Sequence, residues 1–152
     1  MIIKPSLYTQ AILELEGKPF SLKDQPYMNA IYDLDPPEML TMMARQVGKS
    51  VTQAAKIIGR STAIPHYYSL YVTPTAKQVS VFSNDRLKPM VVFSPLVKKY
   101  FVDHESNSAV TDKSFSNGSR VHLRSCYLTA DTMRGVTADF IAIDEAQDIA
   151  YD

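Results

Sequence analysis

The sequence predicts an α/β domain with a largely parallel central sheet. Short apolar or β-branched runs alternate along the chain with stretches of helical periodicity, the signature of strands connected by crossover helices. A Gly48-Lys49-Ser50 tripeptide stands between an apolar run and an amphipathic segment. A second apolar run, "DFIAID" (139–144), ends in carboxylates and leads into "EAQD".

Taken in order, "SLYTQAILELEG" (6–17) reads as a helix, with Ser6 as N-cap and Gly17 as stop. "SLKDQPYMNAIYDL" (21–34) reads as a second helix, with Asp24 as a candidate cap and Pro26 near its first turn. Asp35-Pro36-Pro37 breaks the chain, and "EMLTMM" (38–43) follows as a short apolar run whose length and flanks favour a strand. Val51, Ala54, Ala55 and Ile58 recur at i, i+3, i+4 and i+7, so residues 49–60 form an amphipathic helix. "HYYSLYVT" (66–73) is aromatic and β-branched and predicts a strand ended by Pro74. Residues 75–87 predict a helix capped by Thr75, and 94–101 a short one. "AVTDKSF" and "SRVHLRS" alternate on either side of Ser116-Asn117-Gly118, which predicts a β-hairpin around 109–125. Residues 139–144 complete the series as a buried strand.

Bulk properties narrow the function classes. The 152 residues make about one domain, long enough for a real core. Composition is that of a globular protein, 45% hydrophobic and 21% charged. Sixteen basic residues balance sixteen acidic ones, so any nucleic-acid contact must use a local patch. One cysteine, Cys126, forbids an internal disulfide framework and suits a reducing compartment. His66, His104 and His122 are scattered with no cysteine partners, which argues against a zinc site. No run approaches the roughly 18 apolar residues of a membrane span, and the N-terminus lacks the apolar core of a signal peptide.

The two motifs point to nucleotide chemistry. A phosphate-gripping loop needs converging backbone N–H groups, a helix starting with its positive end inward, a lysine for the β and γ phosphates, and a hydroxyl for Mg2+. Gly48, Lys49 and Ser50 supply these parts, although Met43 stands where the usual pattern has its first glycine. The tripeptide alone leaves open a chance Gly-Lys-Ser at a helix start. Asp144 and Glu145 offer a carboxylate for the magnesium shell and another to orient or deprotonate the attacking water; taken alone, they also read as helix caps. Both motifs end at the carboxyl ends of strands, where ligands bind in open parallel sheets. Their joint presence and order make nucleotide binding the favoured reading.

With both motifs in hand, the chain resembles the N-terminal ATPase domain of the large terminase subunit of tailed bacteriophages, motors that package viral DNA into proheads. The resemblance rests on "ARQVGKS" (44–50) and "RGVTADFIAIDEAQDI" (134–149), with "FSLKDQPY" (20–27) and "VTPTAKQVSVF" (72–82) as supporting motifs. It implies a P-loop NTPase fold of the RecA-like kind, with ATP and Mg2+ as ligands. It implies that residues 45–51 (Arg45, Gln46, Val47, Gly48, Lys49, Ser50, Val51) cradle the phosphates, with Arg45 facing or sensing the γ-phosphate. Gln25 would read the adenine edge, with Tyr27 or Phe20 packing on the base. Ser50 and Asp144 would serve the metal and Glu145 the water, while Arg134 would reach a neighbouring subunit's nucleotide or make a plain surface contact. Double-stranded DNA, the small terminase subunit, the prohead portal protein and a homo-oligomeric ring are the implied partners, in the host cell cytoplasm. The missing first glycine is a trait of that family. The resemblance also implies that residues 1–152 are the N-terminal part of a longer protein, with the end of the ATPase domain and a nuclease domain absent. A helicase-like DNA-dependent ATPase and a nucleotide-binding module without turnover remain the alternatives.

Overall fold

The computed structural model describes residues 3–44, 47–100, 110–126 and 133–149. A four-stranded sheet with the order β4-β5-β3-β6 organises the chain. Strand β3 (Tyr68–Thr73) lies at its centre and pairs in parallel with β5 (Arg120–Ser125) on one side and β6 (Phe140–Ile143) on the other. Strand β4 (Asp112–Ser114) adds to β5 antiparallel, as the predicted hairpin through Ser116-Asn117-Gly118 requires. The mainly parallel sheet flanked by helices agrees with the predicted class.

Strand β3 is buried on both faces. Tyr71 faces the main core with the helices, whereas Leu70 and Val72 meet Cys126 and the segment around Met133, Val136 and Ala138. Such two-sided burial explains why this strand reads as a continuous apolar run.

Helix α3 (Lys49–Ala63) starts where the periodicity placed it and runs three residues past the expected end. Ala54, Ala55, Ile57 and Ile58 are all fully buried. Each isoleucine contributes about 1.5–3 kcal/mol by leaving water. Helix α1 (Pro5–Ile12) crosses α3 closely: a Cβ at Gly59 would stand 2.6 Å from Thr9 Oγ1.

Four expectations are corrected. Helix α1 stops at Ile12 because Glu16 and Gly17, both at positive φ, turn the chain into a two-residue hairpin of β1 (Glu14–Leu15) and β2 (Lys18–Pro19). Ser6 does not cap α1; its N–H and hydroxyl donate to the Asp33 carboxylate at 2.8 and 2.9 Å and tie α1 to α2. Helix α2 is confined to Met28–Asp33, with turns through residues 22–28 before it, so Asp24 caps nothing. Residues 38–43 form no strand: Leu40 and Met42 are 85% and 88% exposed, and only Met43 touches the core. On the described residues β6 is the sheet edge, and this segment has no strand beside it to complete a hydrogen-bond ladder.

The helix after β3 is longer than expected. Helix α4 (Ala76–Phe82) is capped by Thr75, which accepts from the Gln78 N–H while Gln78 Oε1 accepts from the Thr75 N–H, a capping box. It continues through a π-helical turn (Ser83–Leu87) into α5 (Lys88–Phe93), and α6 (Pro95–Lys98) follows. Phe82 and Leu87, five residues apart across the wider turn, are both buried in the main core.

Candidate active site

The parallel pairing of β3 and β6 puts their carboxyl ends at the same edge of the sheet, and α3 begins at that edge. Gly48 precedes α3 with φ 82° and ψ 21°, a left-handed geometry that only glycine adopts without strain. No atom would stand within 4 Å of a Cβ there, so backbone angle and not crowding requires glycine. The left-handed residue followed by helix turns successive N–H groups outward at the positive end of a fifteen-residue helix. Lys49 is the first helical residue and is half-buried, with no hydrogen bond or ion pair among the described residues.

The acidic turn meets this loop directly. Ser50 Oγ donates to Asp144 Oδ2 at 3.2 Å, across 94 residues of sequence. Tyr71 Oη donates to the same oxygen at 2.9 Å, and the Glu145 N–H donates to Asp144 Oδ1 at 3.1 Å. Asp144 is itself held by its N–H donating to Val72 O at 2.9 Å, which extends the β3–β6 ladder by one residue. Glu145 is left-handed, with φ 51° and ψ 44°. For a residue with a side chain that costs roughly 1–2 kcal/mol. Strain of this kind collects at functional sites. The Glu145 carboxylate accepts from Gln147 Nε2.

A cleft of roughly 250 Å3 opens at this point. Ser50, Asp144 and Glu145 line it, together with Tyr71 and Thr73. The α4 helix and its π-helical turn contribute Lys77, Gln78 and Arg86 to the lining. Cations and carboxylates therefore line the same space. Burial, and then the negative charge of Asp144, push the Tyr71 phenol far above its ordinary value, so it is a neutral donor at any pH the protein meets.

The other predicted residues are placed less centrally. Arg45 and Gln46 lie outside the described residues. Val47 and Val51 are half-buried beside the loop, and Val51 packs against the main core. Gln25 is half-buried in the turn before α2 and Tyr27 is 56% exposed; neither lines the cleft. Phe20 is a core residue, meeting Tyr32 edge to face at 6.3 Å between ring centroids, so it is not available to a base. Arg134 is exposed, in the turn Met133–Gly135, and is not among the residues lining the cleft. Sequence reasoning missed Tyr71, which reads as one more apolar residue of a buried strand. The signal available was a phenol among aliphatic residues, since a buried hydroxyl needs a partner.

The donor set suits a hard, small divalent cation. A hydroxyl and a carboxylate converge on one point, and among the described residues no three His, Cys, Asp or Glu side chains gather into a metal cage. Magnesium is usually held by one or two carboxylates together with substrate phosphates, and keeps several waters.

Comparison with family models matches residues 17–152 to the ATPase domain of phage terminase large subunit gpA. No curated protein matches the chain. The match covers nearly the whole sequence, and the chain belongs to the phage terminase large-subunit ATPase family.

Proposed function

We propose that this terminase-family domain binds and hydrolyses ATP with Mg2+ where the start of α3 meets the acidic turn at the edge of this cleft, as part of a motor that drives double-stranded DNA into a prohead. The observation that carries the reading is the Ser50–Asp144 hydrogen bond. It brings the loop and the acidic strand, remote in sequence, to one point, as triphosphate chemistry demands. Family membership supports the same activity.

In this reading the backbone N–H groups that start α3 receive the phosphates, and the Lys49 ammonium lies over the β and γ oxygens. Ser50 and Asp144 would hold Mg2+, which would supply neutralisation of phosphate charge. Glu145 accepts a hydrogen bond from the attacking water and orients it in line with the leaving oxygen. In support of this role, Glu145 lines the same cleft as Asp144. Arg45 faces the γ-phosphate, and Gln25 and Arg134 keep the adenine and neighbouring-subunit roles that the family suggests. The small terminase subunit, the portal protein and a ring of identical subunits complete the packaging machine in the host cytoplasm.

Calorimetry with ATP and two variants tests the assignment. Lys49→Ala is expected to abolish measurable ATP binding, because it removes the ammonium carried by the first residue of α3. Glu145→Gln is expected to keep ATP affinity within about threefold while phosphate release falls by about a hundredfold or more, the loss typical of a positioned general base. Unchanged ATP affinity in Lys49→Ala would remove the phosphate loop from the mechanism.

A further inference from the structure

We propose that Tyr71 is a positioning residue for the magnesium site: its hydroxyl fixes the Asp144 carboxylate in the orientation that receives the cation, and Phe82 fixes Tyr71. The inference deepens the Mg2+–ATP reading above and rests on it.

Three contacts converge on the Asp144 carboxylate, and Tyr71 makes the shortest. Its hydroxyl reaches Oδ2 at 2.9 Å, against 3.2 Å for Ser50 Oγ at the same oxygen and 3.1 Å for the Glu145 N–H at Oδ1. The three differ in rigidity. Ser50 is a small side chain on the first turn of α3, and Glu145 belongs to the strained turn. Tyr71 stands in the central strand, paired on both sides, with 2% of its surface exposed. Its ring lies flat on that of Phe82, with centroids 3.7 Å apart and planes 8° from parallel. Phe82 in turn is held where α4 passes into the π-helical turn, and is itself 2% exposed. The phenol therefore cannot swing away, and the acceptor must come to it.

A tyrosine in this place is also chemically selective. It donates without adding charge, so it leaves the carboxylate's full negative charge for a cation. A lysine or arginine at the same point would neutralise it. A donor that orients a carboxylate from behind the first coordination shell is a common device at metal sites, and its loss typically costs 10–100-fold in metal affinity or activity. Phe82 and Tyr71 both line the cleft together with Asp144.

The test is the magnesium increment: the ratio of affinities for a slowly hydrolysed ATP analogue measured by calorimetry with Mg2+ and with EDTA. The full chain is expected to bind more tightly with Mg2+. Tyr71→Phe is expected to leave the EDTA affinity unchanged and to shrink the increment about tenfold. Phe82→Leu, which keeps the hydroxyl but removes its backstop, is expected to shrink it less. Tyr8→Phe, which removes a hydroxyl bonded to Thr62 near the opposite end of α3, is the control and is expected to leave it intact. A Tyr71→Phe protein with the full increment, or one weakened equally with and without Mg2+, overturns the proposal. If Tyr71→Phe does not fold, a full increment in Phe82→Leu overturns it. Absence of any increment in the unmutated chain sinks the nucleotide reading itself, and so the two failures are distinguishable.

Discussion

Residues 68–73 and 38–43 are both short apolar runs that sequence reading assigns to strands, and only the first becomes one. In β3 the central residues Leu70, Tyr71 and Val72 are 2–4% exposed, and parallel neighbours on both sides take up the backbone groups. In the second run Leu40 and Met42 are almost fully exposed, and no amide of 38–43 donates to the backbone of a described residue. The two runs differ less in composition than in company. A strand is a property of a pair, because an extended backbone buried without a partner leaves N–H and C=O groups unsatisfied. Hydrophobicity brings a segment toward a core; a free ladder beside it makes it a strand.

Hydrogen exchange gives the largest contrast. Amides within 69–73 should open only with the whole fold, whereas those of 39–43 should exchange faster by about a thousandfold or more. Comparable protection in the two segments would mean that 38–43 finds a partner in solution. Side-chain truncation sharpens the comparison on a smaller scale. Leu123→Ala, in the strand beside β3 and fully buried, should cost about 2–5 kcal/mol in urea unfolding. Met42→Ala should change stability by no more than about 0.5 kcal/mol. A Met42 loss as large as that at Leu123 would break the distinction.

The smallest effect lies at the opposite edge of the sheet. Burial alone would raise the Asp112 carboxyl, but hydrogen bonds from Arg124, His122 and Thr111 outweigh it and bring it down to about 2. The folded value is below the ordinary one, so the stabilisation is present above about pH 4 and lost as pH falls toward 2. The side chain is 43% exposed, so Asp112→Asn should cost less than about 1 kcal/mol at pH 7. That difference should shrink in unfolding curves as pH is lowered from about 4 to about 2. Persistence of the full difference at the acid end would trace it to packing and not to charge.

The legible parts of the molecule are those where local pattern and tertiary need agree. Helix α3 announced itself because Val51, Ala54, Ala55 and Ile58 form the very face it buries. The hairpin announced itself through Gly118, which sits at positive φ, and the Thr75 cap was equally plain. Gly48, Ser50 and Asp144 were named from their residue types, and the fold brings Ser50 to Asp144. What stayed hidden depended on distant neighbours. The end of α1 was set by the Glu16-Gly17 turn pairing β1 with β2, and Ser6 was claimed by Asp33. Tyr71 was invisible because nothing near it in sequence says that a carboxylate 73 residues away will accept a hydrogen bond from it.

The long reach of the Ser50–Asp144 contact bears on how the protein is made. A ribosome adding roughly 5–20 residues each second finishes α3 on the order of ten seconds before Asp144 leaves the peptidyl-transferase centre. During that interval the nascent chain owns a lysine and a helix start with no acidic counterpart. The Ser50–Asp144 contact can therefore form only after β6 has been made and has paired with β3, so this edge of the sheet is completed last among the described strands.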